Sequence, residues 1–122
     1  TQKFESDPER RFAVILENPN DSSILRWLRP YQGLLRIYTR RQETEYVPDF
    51  IVETVERKYI CEVKARNELA DPDVIDKARA ATEWCKHATD NGKVGSKPWT
   101  YALIPDDEIV ENMSFAKLVA GR

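Results

Sequence analysis

The 122 residues include one histidine, one methionine, two cysteines and four glycines. With His87 alone, neither a histidine-built zinc site nor a Ser-His-Asp triad has its parts. No glycine-rich phosphate loop or Walker lysine occurs, so an ATPase centre is not carried by this stretch. No apolar run approaches the ~20 residues that span a bilayer, and no signal peptide opens the chain. Internal repeats and low-complexity tracts are missing as well. Cys61 and Cys85 fall in a predicted strand and a predicted helix. Both read as small buried residues of a reduced, cytoplasmic protein rather than as a disulfide. Met113 is the only methionine and Thr1 stands first, which reads as a piece cut from a longer protein.

What is present suits one globular domain over residues 1–122, with 41% hydrophobic and 33% charged residues. The net charge of −2 does not announce a nucleic-acid binder, but its distribution is uneven. Between Arg26 and Arg41 there are five arginines (Arg26, Arg29, Arg36, Arg40 and Arg41) and no acid. Acids gather instead at Asp106, Asp107, Glu108 and Glu111. The basic stretch has two readings, a solvated strand face or a phosphate-tracking face with Arg36, Arg40 and Arg41 as its contacts.

The most informative stretch runs from Glu45 to Ala65. Glu45–Glu53 and Lys58–Ala65 are rich in β-branched and aromatic residues, alternate in polarity and read as two strands joined across Thr54–Arg57. Side chains on a strand alternate faces, so Glu62 and Lys64 share one, about 6.7 Å apart along the strand. Asp49 can point the same way from the neighbouring strand. Two carboxylates and an ammonium at one spot suit a hard cation: the carboxylates supply oxygen ligands of the kind Mg²⁺ takes, and the ammonium steadies a water or a growing charge. Pro48 interrupts the ladder just before Asp49, where the carboxylate has to be aimed. The alternative, a cross-strand salt bridge on an exposed face, requires neither the proline nor such apolar surroundings.

Pro48-Asp49 followed by Glu62-Val63-Lys64 resembles the PD-(D/E)xK motif of the restriction-endonuclease-like nucleases. The wider runs Tyr46–Phe50 and Cys61–Ala65, the opening segment Phe4–Phe12 and the helical segment Asp76–Trp84 resemble the nuclease domain at the C-terminal end of type III restriction enzyme cleavage subunits. The resemblance implies an α/β (α+β) fold with an αβββαβ core, a mixed sheet flanked by helices. It implies Mg²⁺-dependent cleavage of double-stranded DNA, with Mn²⁺ as a possible substitute and ATP used only by a helicase domain outside this fragment. Asp49 and Glu62 would hold the metal, the Val63 carbonyl would add a ligand, and Lys64 would position water. The implied partners are a motor domain in cis and a modification or specificity subunit. A stand-alone resolvase or repair-type nuclease, and an inactive nuclease-fold module that binds DNA or a partner, are the alternatives.

The flanking helices add two candidates. Ser6-Asp7-Pro8-Glu9 opens a helix that stops at Asn18-Pro19-Asn20. Glu9 is either the acid of a capping box with Ser6 or, as the nuclease superfamily implies, a further acid of the site; Glu5 and Glu17 are weaker choices. Ile24–Leu28 fits a short helix or a strand. Leu34–Arg40 reads as a strand leading to a hairpin at Arg41–Glu43. A long helix begins at Asp71-Pro72, carries Val74, Ala78, Ala81, Cys85 and Ala88 as an apolar stripe, and stops at Asn91-Gly92. Lys77 on it is either a supporting residue of the site or a surface lysine covering Trp84. Trp99–Ile104 reads as a strand covered on both sides, and residues 106–120 as helical with a break near Asn112.

Overall fold

A computed structural model describes residues 7–41, 43–110 and 112–122. Helix α1 (Asp7–Leu16) leads into β1 (Ile24–Leu28), β2 (Ile37–Tyr38), β3 (Glu45–Tyr46), β4 (Phe50–Thr54) and β5 (Lys58–Lys64). Helix α2 (Pro72–Asp90), β6 (Trp99–Pro105) and α3 (Phe115–Val119) complete the order. Four strands form the main sheet in the order β1-β4-β5-β6, and β2 pairs with β3 in a separate two-stranded ribbon. β1, β4 and β5 are antiparallel neighbours, while β6 returns parallel to β5 after the α2 crossover. The result is the mixed sheet flanked by helices, compatible with a restriction-endonuclease-like αβββαβ core.

The first strand of that core is β1, where periodicity had left helix and strand open. The predicted strand over 34–40 shrinks to Ile37–Tyr38 and joins the ribbon instead. Its early part is lost to backbone geometry: Gly33 and Arg36 both adopt left-handed φ, +90° and +58°, and a strand cannot run through them. The predicted continuous strand Glu45–Glu53 is likewise broken. Glu45–Tyr46 pairs with β2, Val47–Asp49 belongs to no ladder, and pairing with the main sheet starts at Phe50. Pro48, without an N–H to donate, sits at that break.

Helix α2 keeps its predicted ends. The Asp71 carboxylate caps the Asp73 N–H with Pro72 at the first helical position, and the chain leaves at Asn91. Its buried side is Val74, Asp76, Ala80, Ala81 and Cys85. The helical tail is confined to one turn at Asp106–Glu108 and to α3, with Asn112 at φ +68° between them. Both cysteines are free and buried. The proposed Ser6 cap, Glu5 and Phe4 fall outside the described residues.

The sheet divides the core in two. On one side Phe50, Val52, Cys61 and Val63 pack with Phe12 and Leu16 of α1 and with Phe115 and Leu118 of α3. On the other, Ile60 packs with Ile37 and Tyr46 of the ribbon and Ala80, Ala81 and Cys85 of α2. Small alanines let α2 lie close to the strands, and each buried aromatic or aliphatic side chain contributes roughly 1.5–3 kcal/mol. No helix among the described residues is long and apolar enough to cross a membrane.

Candidate active site

β4 and β5 pair Phe50 with Cys61 and Ile51 with Ile60, so one step further Asp49 stands across from Glu62. There the ladder gives way to side chains. The Asp49 N–H donates to Glu62 Oε1 (3.1 Å), and the Val63 N–H donates to Asp49 Oδ2 (2.8 Å). Each carboxylate thus takes a backbone N–H from the opposite segment. The break at Val47–Asp49 makes this possible, because it frees the N–H groups that a continuous strand would use. The Tyr46 hydroxyl donates a second hydrogen bond to Glu62 Oε1 at 2.7 Å. Lys64 Nζ lies 3.7 Å from the other oxygen, Glu62 Oε2.

Both carboxyls sit in a poorly solvated place. Burial pushes Asp49 up to about 6, with the charge of Glu9 adding to the rise; the Val63 N–H, Arg29 and Lys64 oppose it. Burial pushes Glu62 up to about 7, with the charge of Asp49 next; the Tyr46 hydrogen bond and Lys64 pull the other way. The two groups titrate as a pair. Desolvated carboxylates that repel one another favour a proton or a countercharge between them.

Glu9 is 7% exposed and reaches the site from α1. Arg29 Nη1 holds Glu9 Oε1 at 2.6 Å, and the Arg29 guanidinium lies 4.8 Å from the centre of the Phe50 ring. Lys77 Nζ lies 5.7 Å from the centre of the Tyr46 ring, on the α2 side of the same group. Asp49, Glu62, Val63, Lys64 and Glu9 are therefore gathered at one end of the sheet, and Lys77 approaches through Tyr46.

The three proposed phosphate-contact arginines lie elsewhere, around the ribbon. Arg40 faces Glu83 at 3.6 Å and Arg41 faces Asp73 at 3.1 Å, all four side chains being largely exposed. The Arg41 N–H also donates to buried Asp76. Arg36 is exposed. Arg40 and Arg41 thus tie the ribbon to α2, whatever else they reach.

Sequence reasoning missed Arg29, Tyr46 as a hydrogen-bond donor, and Tyr101, whose hydroxyl lies 3.1 Å from that of Tyr46. Arg29 was visible only as one arginine among five, and the tyrosines only as strand formers. Their partners are 16 to 55 residues away, so nothing local marked them.

The donor set fits a hard cation. Half-buried Asp49 and buried Glu62 converge there, and their raised affinity for protons reflects burial above all, only partly offset by Lys64. Among the described residues no three His, Cys, Asp or Glu side chains form a ready-made ligand group, so a cation here would draw on two carboxylates, a carbonyl and water.

A family model described as TnsA-like endonuclease N terminal matches residues 21–90, which contain β1 through α2 and both carboxylates. No curated protein and no solved structure matches the chain.

Proposed function

The chain belongs to the TnsA-like endonuclease N-terminal family, and from that premise we propose that it is a Mg²⁺-dependent endodeoxyribonuclease that hydrolyses phosphodiester bonds of double-stranded DNA. The observation that carries this reading is the reciprocal bracing of Asp49 and Glu62. A surface salt bridge requires no pair of carboxylates, one buried and one half-buried, locked by each other's backbone.

Asp49, Glu62 and the Val63 carbonyl would hold the ion together with water, and Glu9 on α1 would add negative charge beside them. A bound Mg²⁺ supplies Lewis-acid polarisation of the phosphate and lowers the pKa of a coordinated water. The protein's own part is orientation and charge. The backbone N–H groups fix the carboxylates, Lys64 holds water and steadies charge growing on the phosphate, and Arg29 holds Glu9 in place. Mn²⁺ would substitute, since it accepts the same oxygen donors.

The test is plasmid cleavage with Mg²⁺, with Asp49→Ala as control. Cleavage that vanishes in the variant supports the enzyme. DNA binding with no cleavage at any Mg²⁺ or Mn²⁺ concentration would establish an inactive binding module instead.

A finer reading places this domain in a type III restriction enzyme cleavage subunit, delivered to DNA by a motor in cis that consumes the ATP and directed by a modification or specificity subunit. It rests on the likeness of Tyr46–Phe50 and Cys61–Ala65 to that nuclease domain. The net charge of −2 agrees with a module of weak intrinsic attraction to DNA. A stand-alone resolvase or repair nuclease would share the fold and the site. Tight binding and cutting at one defined sequence by the 122-residue chain alone would favour that self-sufficient enzyme.

A further inference from the structure

Glu62 has two oxygens, and the structure treats them differently. Oε1 accepts from the Tyr46 hydroxyl and from the Asp49 N–H. Two donors occupy the two lone pairs of that oxygen. Among the described residues the polar partner of Oε2 is Lys64, at 3.7 Å, a long contact for an ion pair. Tyr46 has a single proton, and it is spent on the carboxylate. In the 3.1 Å contact between the two hydroxyls, Tyr101 is therefore the donor and Tyr46 the acceptor. A directed chain results, from Tyr101 to Tyr46 to Glu62.

The chain is built from rigid parts. Tyr46 is 4% exposed and ends β3, the last residue before the break. Tyr101 stands on β6, paired through its backbone with Ile60 of β5. Lys77 lies over the Tyr46 ring from α2. Three elements thus fix one hydroxyl against one carboxylate oxygen. The fold of the ribbon does not require that hydroxyl, since a phenylalanine would fill the same space.

We infer that Tyr46, held by Tyr101, is a positioning residue that saturates Glu62 Oε1 and so presents Oε2 as the oxygen available to a divalent cation. The assignment rests on the metal-dependent reading of the site. Partners of this kind behind a metal ligand are worth roughly 10–100-fold in metal affinity or activity.

The experiment measures Mn²⁺ binding to the full chain by calorimetry and paramagnetic resonance, for wild type, Tyr46→Phe, Tyr101→Phe and Glu62→Ala. Cleavage across a Mn²⁺ series is measured alongside. Tyr46→Phe is expected to weaken Mn²⁺ binding about tenfold, with the metal requirement for cleavage shifting in parallel and the rate at saturating metal falling less. Tyr101→Phe shifts binding in the same direction by less. In the Glu62→Ala background, Tyr46→Phe adds nothing. Mn²⁺ affinity within twofold of wild type in Tyr46→Phe overturns the assignment, as does an equal further loss on top of Glu62→Ala. Because binding is read without cleavage, a wild-type chain that binds Mn²⁺ and cuts nothing refutes the nuclease reading while the Tyr46 test proceeds. A wild-type chain that binds no Mn²⁺ overturns both.

Discussion

Two acidic regions of this protein invite comparison. One is Asp106–Glu108 after β6, the densest run of acids in the chain. Arg66 grips Asp107 through two hydrogen bonds, at 2.7 and 2.9 Å, and Arg66 and Arg122 both reach Glu108. All of this is solvent-accessible, and the Arg66 hydrogen bonds hold Asp107 below the ordinary carboxylate range. The other region has half-buried Asp49 and buried Glu62 at its centre, each accepting a backbone N–H, with no arginine hydrogen-bonded to either among the described residues, and both shifted upward. The first region is satisfied and has no need of a ligand. In the second, Lys64 and Arg29 offset the burial of the two carboxyls only in part. Density of charge along the sequence is a poor guide to where chemistry can occur; the balance between burial and countercharge is a better one.

The largest expected contrast is in cleavage. Asp49→Ala or Glu62→Ala should lose at least about a hundredfold in rate, whereas Asp107→Ala should stay close to wild type. A plasmid nicking assay on all three decides this, and equal losses would erase the distinction between the regions. Lys64→Ala should come next. It should lower the cleavage rate by about 10²–10³-fold and leave calorimetric Mg²⁺ binding near normal, because an ammonium cannot ligate a cation. Unchanged cleavage would remove Lys64 from the chemistry.

The pH dependence of stability should have opposite signs in the two regions. Folded-state values above the ordinary carboxylate range, as for Asp49 and Glu62, give a contribution fully present below about pH 4. That contribution is lost as pH rises through about 6 for Asp49 and about 7 for Glu62. Asp107, held low, contributes above its ordinary value and loses that contribution in acid. Thermal melts in chelator should therefore show this pair reducing stability between pH 4 and 7. Asp49→Asn should flatten the slope and raise the midpoint at pH 8, and added Mg²⁺ should do the same for wild type. A pH-independent melt that Asp49→Asn does not alter would contradict the raised carboxyls.

The smallest effects belong to exposed pairs. Arg66→Ala should leave stability by chemical denaturation nearly unchanged, with high salt shrinking even that small difference. Arg36→Ala, Arg40→Ala and Arg41→Ala should each lower the salt slope of DNA binding by about 1 if they reach phosphates. Unchanged slopes would confine Arg40 and Arg41 to tying the ribbon to α2.

Much of the fold was legible because its signals are local. Asp71-Pro72 and Asn91-Gly92 delimit α2 through capping chemistry, and Lys58–Lys64 and Trp99–Pro105 carry their β character in their own residues. Leu34–Arg40 misled because its composition suits a strand while its backbone turns left-handed at Arg36. Glu45–Glu53 misled because propensity cannot register a change of pairing partner midway. At the site, Asp49, Glu62 and Lys64 were legible as spacing. Their environment was not: Arg29 on Glu9, and the two tyrosines behind Glu62, depend on which elements the sheet makes neighbours.

The tyrosine chain also carries a consequence for timing. Glu62 is synthesised well before Tyr101, and at roughly 5–20 residues per second the hydroxyl that steadies Tyr46 emerges some seconds later. The parallel pairing of β5 with β6 must also wait for α2, the slow, non-local kind of step in folding. During that interval the Asp49 and Glu62 contacts of the hairpin can form, but the hydroxyl behind Tyr46 is missing. The last strand of the sheet thus adds the final support behind Glu62, after the hairpin that carries both carboxylates.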